Sequence, residues 1–238
     1  MKKEYINCIK KLEIFKHNLI QNDDIKKGKL YFTWISNKTD KILSENDSQY
    51  IYKNLINNTL SNYNITKYIY NTSNNIIKNI IDNNYELDNK SYKFINKKIS
   101  VEDTLLLAKY ILFKRGNVVW VDFGFNIGRE FGGIHPAIIL KNLNSELFVL
   151  PVSSKIPSEY KKIEEKYTDF EKYNKEKQHI NEIFEINKIF GFKNMVRWAN
   201  ITRIKKISIL RLNFAGSIGA ISGNDLDIIS QKIRNEFW

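Results

Sequence analysis

With 238 residues, 42% of them hydrophobic and 13% aromatic, the chain has enough material for one large domain or two small ones with a real core. A formal net charge of +12 points to an anionic partner, since Lys and Arg release counterions from nucleic acid, although Lys, Asn and Ile crowd the whole chain and part of the charge is compositional. The single cysteine, Cys8, excludes an internal disulfide and a Cys-based metal site, and His17, His135 and His179 lie too far apart in sequence to show ligand spacing.

The N-terminus carries Glu4 and several lysines where a signal peptide would be apolar. The longest apolar run, Leu105 to Phe113, is interrupted by Lys109 and is too short to span a bilayer. A soluble cytoplasmic protein with no membrane partner is the expectation. Residues 1–113 contain no proline and one glycine, Gly28. Helical spacing or length recurs at Lys3–Gln21, Tyr50–Leu60, Asn74–Asn83 and Val101–Phe113. Ser100 with Asp103 three residues on supplies a start signal for the last of these. Gly28–Ser36 fits a short strand or a helix, and periodicity does not decide between them. Residues 1–113 therefore read as a mainly helical N-terminal region.

Residues 114–238 change character. Asn117–Phe123, Pro136–Lys141 and Glu146–Val152 are β-branched and aromatic runs bounded by Gly, Asn or Ser, as strands are. Ile183–Ile189, Asn194–Ile204 and Ile207–Phe214 continue the pattern. Between them, Tyr160, Ile163, Tyr167 and Phe170 step at helical intervals with charge between, which reads as a solvated helical excursion. Ser222 with Asp225 caps a final amphipathic helix bearing Leu226, Ile229, Ile233 and Phe237. Short strands closing on themselves before a terminal helix predict an α+β fold with a small barrel.

The chemistry concentrates in Arg115–Ser154, RGNVVWVDFGFNIGREFGGIHPAIILKNLNSELFVLPVSS. Flexible backbone, cationic side chains and the hydroxyl pair Ser153 and Ser154 converge there at strand ends, a layout that can hold a phosphate. Gly116, Trp120, Asp122, Gly128, Glu130, Gly133 and Pro136 resemble the signature of the MazF/PemK (Kid) toxins. MVRWANITRI and GSIGAISGNDLDIISQKI resemble later parts of the same family in the same order. The resemblance covers about residues 114–238 and implies the SH3-like barrel of these toxins.

It also implies a reaction. Such toxins cut single-stranded RNA without metal or other cofactor: the ribose 2′-hydroxyl attacks phosphorus and a 2′,3′-cyclic phosphate is left. That chemistry needs proton carriers near neutral pH and fixed positive charge. His135 stands where many members have Arg before the proline. Arg197 matches the proposed proton-donating Arg of PemK-like members, while Ala199 replaces their Asp. Arg129 occupies a position that is His in some members. Ser153 matches the hydroxyl that contacts phosphate. The catalytic set this implies is His135, Arg197, Arg129 and Ser153, with Ser154, Lys155, Glu130 and Asn126 as RNA contacts. His titrates nearest neutrality, at about 6.5, so it exchanges a proton more readily than the Arg it replaces.

The blander readings are that His135 braces the loop, Glu130 orders it, Asp122 fixes a turn, and Trp120 and Trp198 belong to core or interface. Partners implied by the resemblance are RNA, a small acidic antitoxin and a second copy in a two-fold dimer. The altered Arg and Asp positions leave open an inactive RNA- or protein-binding barrel. A topoisomerase-poisoning toxin shares the barrel but not this signature.

Overall fold

A computed structural model describes residues 2–21, 28–29, 31–36, 39, 74–88, 91–94, 99–124, 132–143, 146–213 and 216–237. The helix expected over Tyr50–Leu60 lies outside them. Helix α1 (Lys2–Gln21) is largely exposed along its described side chains, with Leu12 and Phe15 half-buried. The ambiguous Gly28–Ser36 segment is helical at 28–29 and 31–36. It packs on α1 through Tyr31, whose ring meets Phe15 edge-on at 4.8 Å.

Helix α2 (Asn75–Asn84) buries Ile77, Ile80, Ile81 and Asn84, one stripe at three- and four-residue spacing. A hairpin of β1 (Tyr85–Asp88) and β2 (Ser91–Phe94) follows, which a mainly helical reading did not anticipate. Each strand is four residues long, too short for a period to show, and Asn89–Lys90 lacks the Asn-Gly type of hairpin signature. Helix α3 (Val101–Ile111) starts as the cap predicts, with Ser100 Oγ accepting from the Asp103 N–H at 3.0 Å.

The rest is a curled, half-barrel antiparallel sheet of seven strands. These are β3 (Asn117–Asp122), β4 (Ile134–Leu143), β5 (Glu146–Ser153), β6 (Ile183–Ile186), β7 (Arg197–Asn200), β8 (Lys205–Ser208) and β9 (Gly219–Ala220). The order is β6-β7-β5-β4-β3-β9, with β8 also on β5. Phe190, on the link between β6 and β7, and Ala220 of β9 exchange backbone hydrogen bonds of 2.8 and 3.0 Å.

The three central strands fall where they were expected. The later ones are shorter. Asn200 and Ser208 side chains accept the N–H groups of Thr202 and Leu210 and turn the chain into 3-10 turns at Ile201–Arg203 and Ile209–Arg211. Local side-chain bonds of this kind compete with a strand ladder, which is why Asn194–Ile204 and Ile207–Phe214 are not continuous strands. The single excursion is two helices, α4 (Ser158–Lys166) and α5 (Phe170–Gln178). Helix α6 (Gly223–Phe237) ends the chain behind its Ser222–Asp225 cap, 3.0 Å from the Asp225 N–H to Oγ.

Alternation along the strands makes two cores. Val118, Ile138, Leu150, Val152, Ile186 and Ala199 face inward and are sealed by Ile229, Leu226 and Ile233 of α6. Val119, Val121, Ala137, Ile139, Leu147 and Val149 face outward, where Leu107, Ala108 and Ile111 of α3 and the isoleucines of α2 cover them. Each fully buried Leu or Ile here contributes roughly 1.5–3 kcal/mol. The N-terminal helices thus share one hydrophobic cluster with the outer face of β3–β5. Among the described residues, no helix is long and apolar enough to cross a membrane.

Candidate active site

Past the part of the outer face that α3 covers, the sheet carries a row of polar and aromatic groups. Ala137 pairs with Pro151, and continuing that register by two residues sets His135 opposite Ser153. Ser153 in turn pairs with Trp198, and Trp198 with Glu185. Residues opposite one another share a face in an antiparallel sheet. This row borders a cavity of about 390 Å³, lined by His135, Ser153, Lys155, Glu159, Trp198 and Arg203 among others.

The backbone at Phe123–Gly124 and Gly133, next to His135, is fixed by hydrogen bonds and glycine geometry. Phe123 N–H donates to the Gly133 carbonyl at 2.9 Å, and Gly133 N–H to the Gly124 carbonyl at 2.8 Å. Gly124 and Gly133 hold φ of +84° and +79°, which glycine alone adopts freely. Asp122 Oδ1 accepts from the Gly124 N–H at 2.9 Å, the turn-fixing role read from the sequence. His135 is half-buried. Burial lowers its pKa below the usual 6.5; a hydrogen bond with the Gly132 backbone opposes this, and the Lys155 charge adds to the lowering. The neutral ring is therefore the favoured form near neutral pH.

Ser153 Oγ accepts from the Lys155 N–H at 3.0 Å, which curls the chain after β5 and sets Ser153, Ser154 and Lys155 side by side on the cavity wall. The opposite wall is the start of α4. The α4–α5 pair is anchored to the sheet by Tyr160, which is buried, and by Lys177, which contacts Glu185 and lies 4.8 Å from the Tyr160 ring centre. Burial, then Glu185, then Tyr173, push the Tyr160 hydroxyl up to about 12. The excursion is thus half solvated helix and half cavity wall, with Glu159 on the lining.

Of the sequence-derived set, His135, Ser153, Ser154 and Lys155 come together. Arg129, Glu130 and Asn126 lie outside the described residues. Arg197 does not join the cavity. In β7 it pairs with Ile186 of β6 and shares the inward face of Ala199, where it is only 6% exposed. Its Nη1 donates to the carbonyls of Lys193 and Met195, each at 3.2 Å. Its guanidinium stacks 5.5 Å above Phe192, whose ring stacks on Trp120 at 5.7 Å. Burial lowers its pKa. In this setting it works as an internal brace.

Two charged cavity residues escaped the sequence reading. Arg203 sits at the end of the turn that Asn200 caps, and Glu159 lies in the first turn of α4. A signal for the first was present: an Asn followed two residues later by Thr breaks the strand before Arg203 and removes it from simple alternation. Trp198 Nε1 is buried without a hydrogen-bond partner on the same wall. Among the described residues, no group of three or more His, Cys, Asp or Glu side chains is placed to hold a metal ion.

No curated protein matches the chain. Among solved structures, the Mycobacterium tuberculosis toxin MazF-mt6 is 10% identical, with 50% of this chain and 94% of that one covered at a TM-score of 0.33. A MazE–MazF structure from Deinococcus radiodurans is 15% identical, with 52% of this chain and 93% of that one covered at a TM-score of 0.34. A sequence model of PemK-like, MazF-like toxins of type II toxin–antitoxin systems matches residues 114–237, slightly more than half of the chain. The chain belongs to the PemK-like, MazF-like toxin family of type II toxin–antitoxin systems.

Proposed function

We propose that the chain is an endoribonuclease toxin that cleaves single-stranded RNA by attack of the ribose 2′-hydroxyl on the adjacent phosphorus. The observation that supports this best is the gathering of His135, Ser153, Lys155 and Arg203 around one cavity. His135, held largely neutral, takes the 2′-hydroxyl proton. The phosphorane that forms carries added negative charge, which Arg203 and Lys155 offset while the Ser153 hydroxyl donates to a phosphate oxygen. In-line displacement puts the leaving 5′-oxygen on the far side of phosphorus from the base, so a second group must protonate it. The Lys155 ammonium is assigned that role. The phosphorus–5′-oxygen bond breaks, leaving a 2′,3′-cyclic phosphate and a 5′-hydroxyl. The substrate supplies the nucleophile, so no step requires a metal or cofactor, and DNA is spared for want of the 2′-hydroxyl.

Trp198, on the cavity lining, offers an aromatic surface for a base beside the scissile phosphate. On the family resemblance, Arg129 remains assigned to the catalytic set, and Glu130 and Asn126 to RNA contacts. Residues 114–238 are taken as the toxin barrel and 1–113 as an added helical region. By analogy with the Deinococcus radiodurans MazE–MazF pair, the partner is a small antitoxin, acidic to suit the +12 charge, and the active form is a cytoplasmic homodimer.

The test is incubation of the full chain with mixed RNA in EDTA, followed by end mapping. Cleavage leaving 2′,3′-cyclic phosphate is expected, with most of it lost in His135→Ala while RNA binding stays close to that of the parent. Binding without product identifies an inactive barrel instead. Activity that vanishes with chelator and returns with a divalent ion, or topoisomerase inhibition without RNA damage, also overturns the proposal.

A further inference from the structure

Beyond that reading, which it rests on, we propose that Trp34 is a positioning residue for His135: its indole is a point at which the N-terminal helical region holds the backbone leading to His135. The contact is specific. A Cβ built on Gly124 would lie 2.6 Å from Trp34 Nε1 and 3.0 Å from Cε2, so the indole edge rests against the bare Cα of a glycine. No other residue type leaves room for it. Gly124 is the residue whose carbonyl accepts from Gly133, and a Cβ on Gly133 would lie 3.9 Å from His135 Nε2. Asp122 holds the Gly124 N–H from one side, and Trp34 closes the other.

Trp34 has its own support. Its ring lies 6.2 Å from Tyr31, and Tyr31 meets Phe15 of α1 edge-on at 4.8 Å. A continuous series of contacts therefore runs from α1 through Tyr31 and Trp34 to Gly124, Gly133 and His135. Trp34 is not on the described lining of the cavity, and its route to His135 runs through the backbone. A base displaced by about 1 Å loses on the order of 10²-fold in rate, because attack geometry is set before reaction. Removing the indole is thus expected to lower kcat and leave KM close to its original value, because the cavity wall that receives the RNA is not displaced.

The experiment uses the full chain. In Trp34→Ala, kcat for RNA cleavage should fall about 10- to 100-fold with KM changed less than threefold. Trp34→Phe, which keeps a ring on Gly124, should recover much of the loss. Amide exchange at Gly133 and Phe123 should quicken about tenfold in Trp34→Ala, while Val119 and Val121 in the covered strand stay protected. Exchange needs no RNA, so this arm stands even if the wild-type chain cleaves none, which separates failure of the cleavage reading from failure of this one. Gly124→Ala gives a second route, since its methyl displaces the indole: it should cost more activity in the parent than in the Trp34→Ala background. A folded Trp34→Ala protein with unchanged exchange at Gly133 overturns the proposal. So do additive effects of the two substitutions, or a rise in kcat, which would mark Trp34 as an inhibitory contact.

Discussion

Arg197 separates two accounts of this protein, because the family signature assigns it to catalysis and the fold puts it inside the barrel. The magnitude expected for Arg197→Ala follows from what the side chain touches. Its two hydrogen bonds run to carbonyls of exposed residues, Lys193 and Met195, which recruit water when the guanidinium is gone, so each contributes about 1 kcal/mol. The stack over Phe192 adds about 1 kcal/mol. The two methylene groups that alanine lacks add about 0.8 kcal/mol each. Against this, unfolding returns a desolvated cation to water, the same effect that lowers its pKa. A net loss of about 2–4 kcal/mol results, and for a chain of this size each kcal/mol moves Tm by about 2–4 °C. Arg197→Ala is thus expected to melt about 5–15 °C below the parent in a thermal unfolding scan. RNA cleavage per folded molecule, measured well below that Tm, should stay within a few-fold of the parent. Arg197→Lys should fall between, since it keeps the charge and loses the planar stack. A variant with parental Tm and a rate about 10²-fold lower would refute the reasoning and return Arg197 to the reacting phosphate.

The pH–rate profile should show its acid limb below 6.5, because His135 must be neutral to act and its pKa is lowered; activity falls as pH drops through that lowered value. Lys155→Met removes the assigned proton donor, so its rate should be low, and it also removes one lowering influence, so the limb of the residual rate should move up in pH toward the ordinary imidazole value, though not fully, since burial is the larger cause. A limb that stays in place separates Lys155 from His135. Arg203→Ala should cost on the order of 10²-fold in kcat with an unchanged Tm, because the side chain is exposed and takes no part in either core. An equal rate in single-turnover cleavage would remove it from the site.

What the sequence made legible was local. Strands β3, β4 and β5 announced themselves through β-branched runs, and Ser100 and Ser222 through capping patterns that the structure reproduces atom for atom. His135 and Ser153 lie in neighbouring strands whose register brings them together, so a motif that groups them in sequence also groups them in space. Arg197 shows the limit. A strand position differs from its neighbour by a full reversal of face, and a short strand between turns does not reveal which face is inward. Arg203 depended on the side chain of Asn200, and Glu159 on a short link that folds α4 against the end of β5. The contact of Trp34 with Gly124 joins segments far apart in the chain, and no local pattern encodes it.

Strand β9 is only two residues long, yet it pairs with β3 on one side and reaches Phe190 on the other. Backbone bonding therefore continues past this last strand to the link that follows β6. A ribosome delivers α3 and β3–β5 early, and the inward faces of Val118, Ile138 and Leu150 wait for Gly219 and Ala220 to arrive. Closing so long a loop is entropically slow compared with forming the hairpins that precede it. A Cβ at Gly219 would come within 2.6 Å of both the Phe190 carbonyl oxygen and the Phe192 ring, so the seam tolerates no side chain there. Formation of this seam thus depends on a hydrogen atom in place of a methyl group.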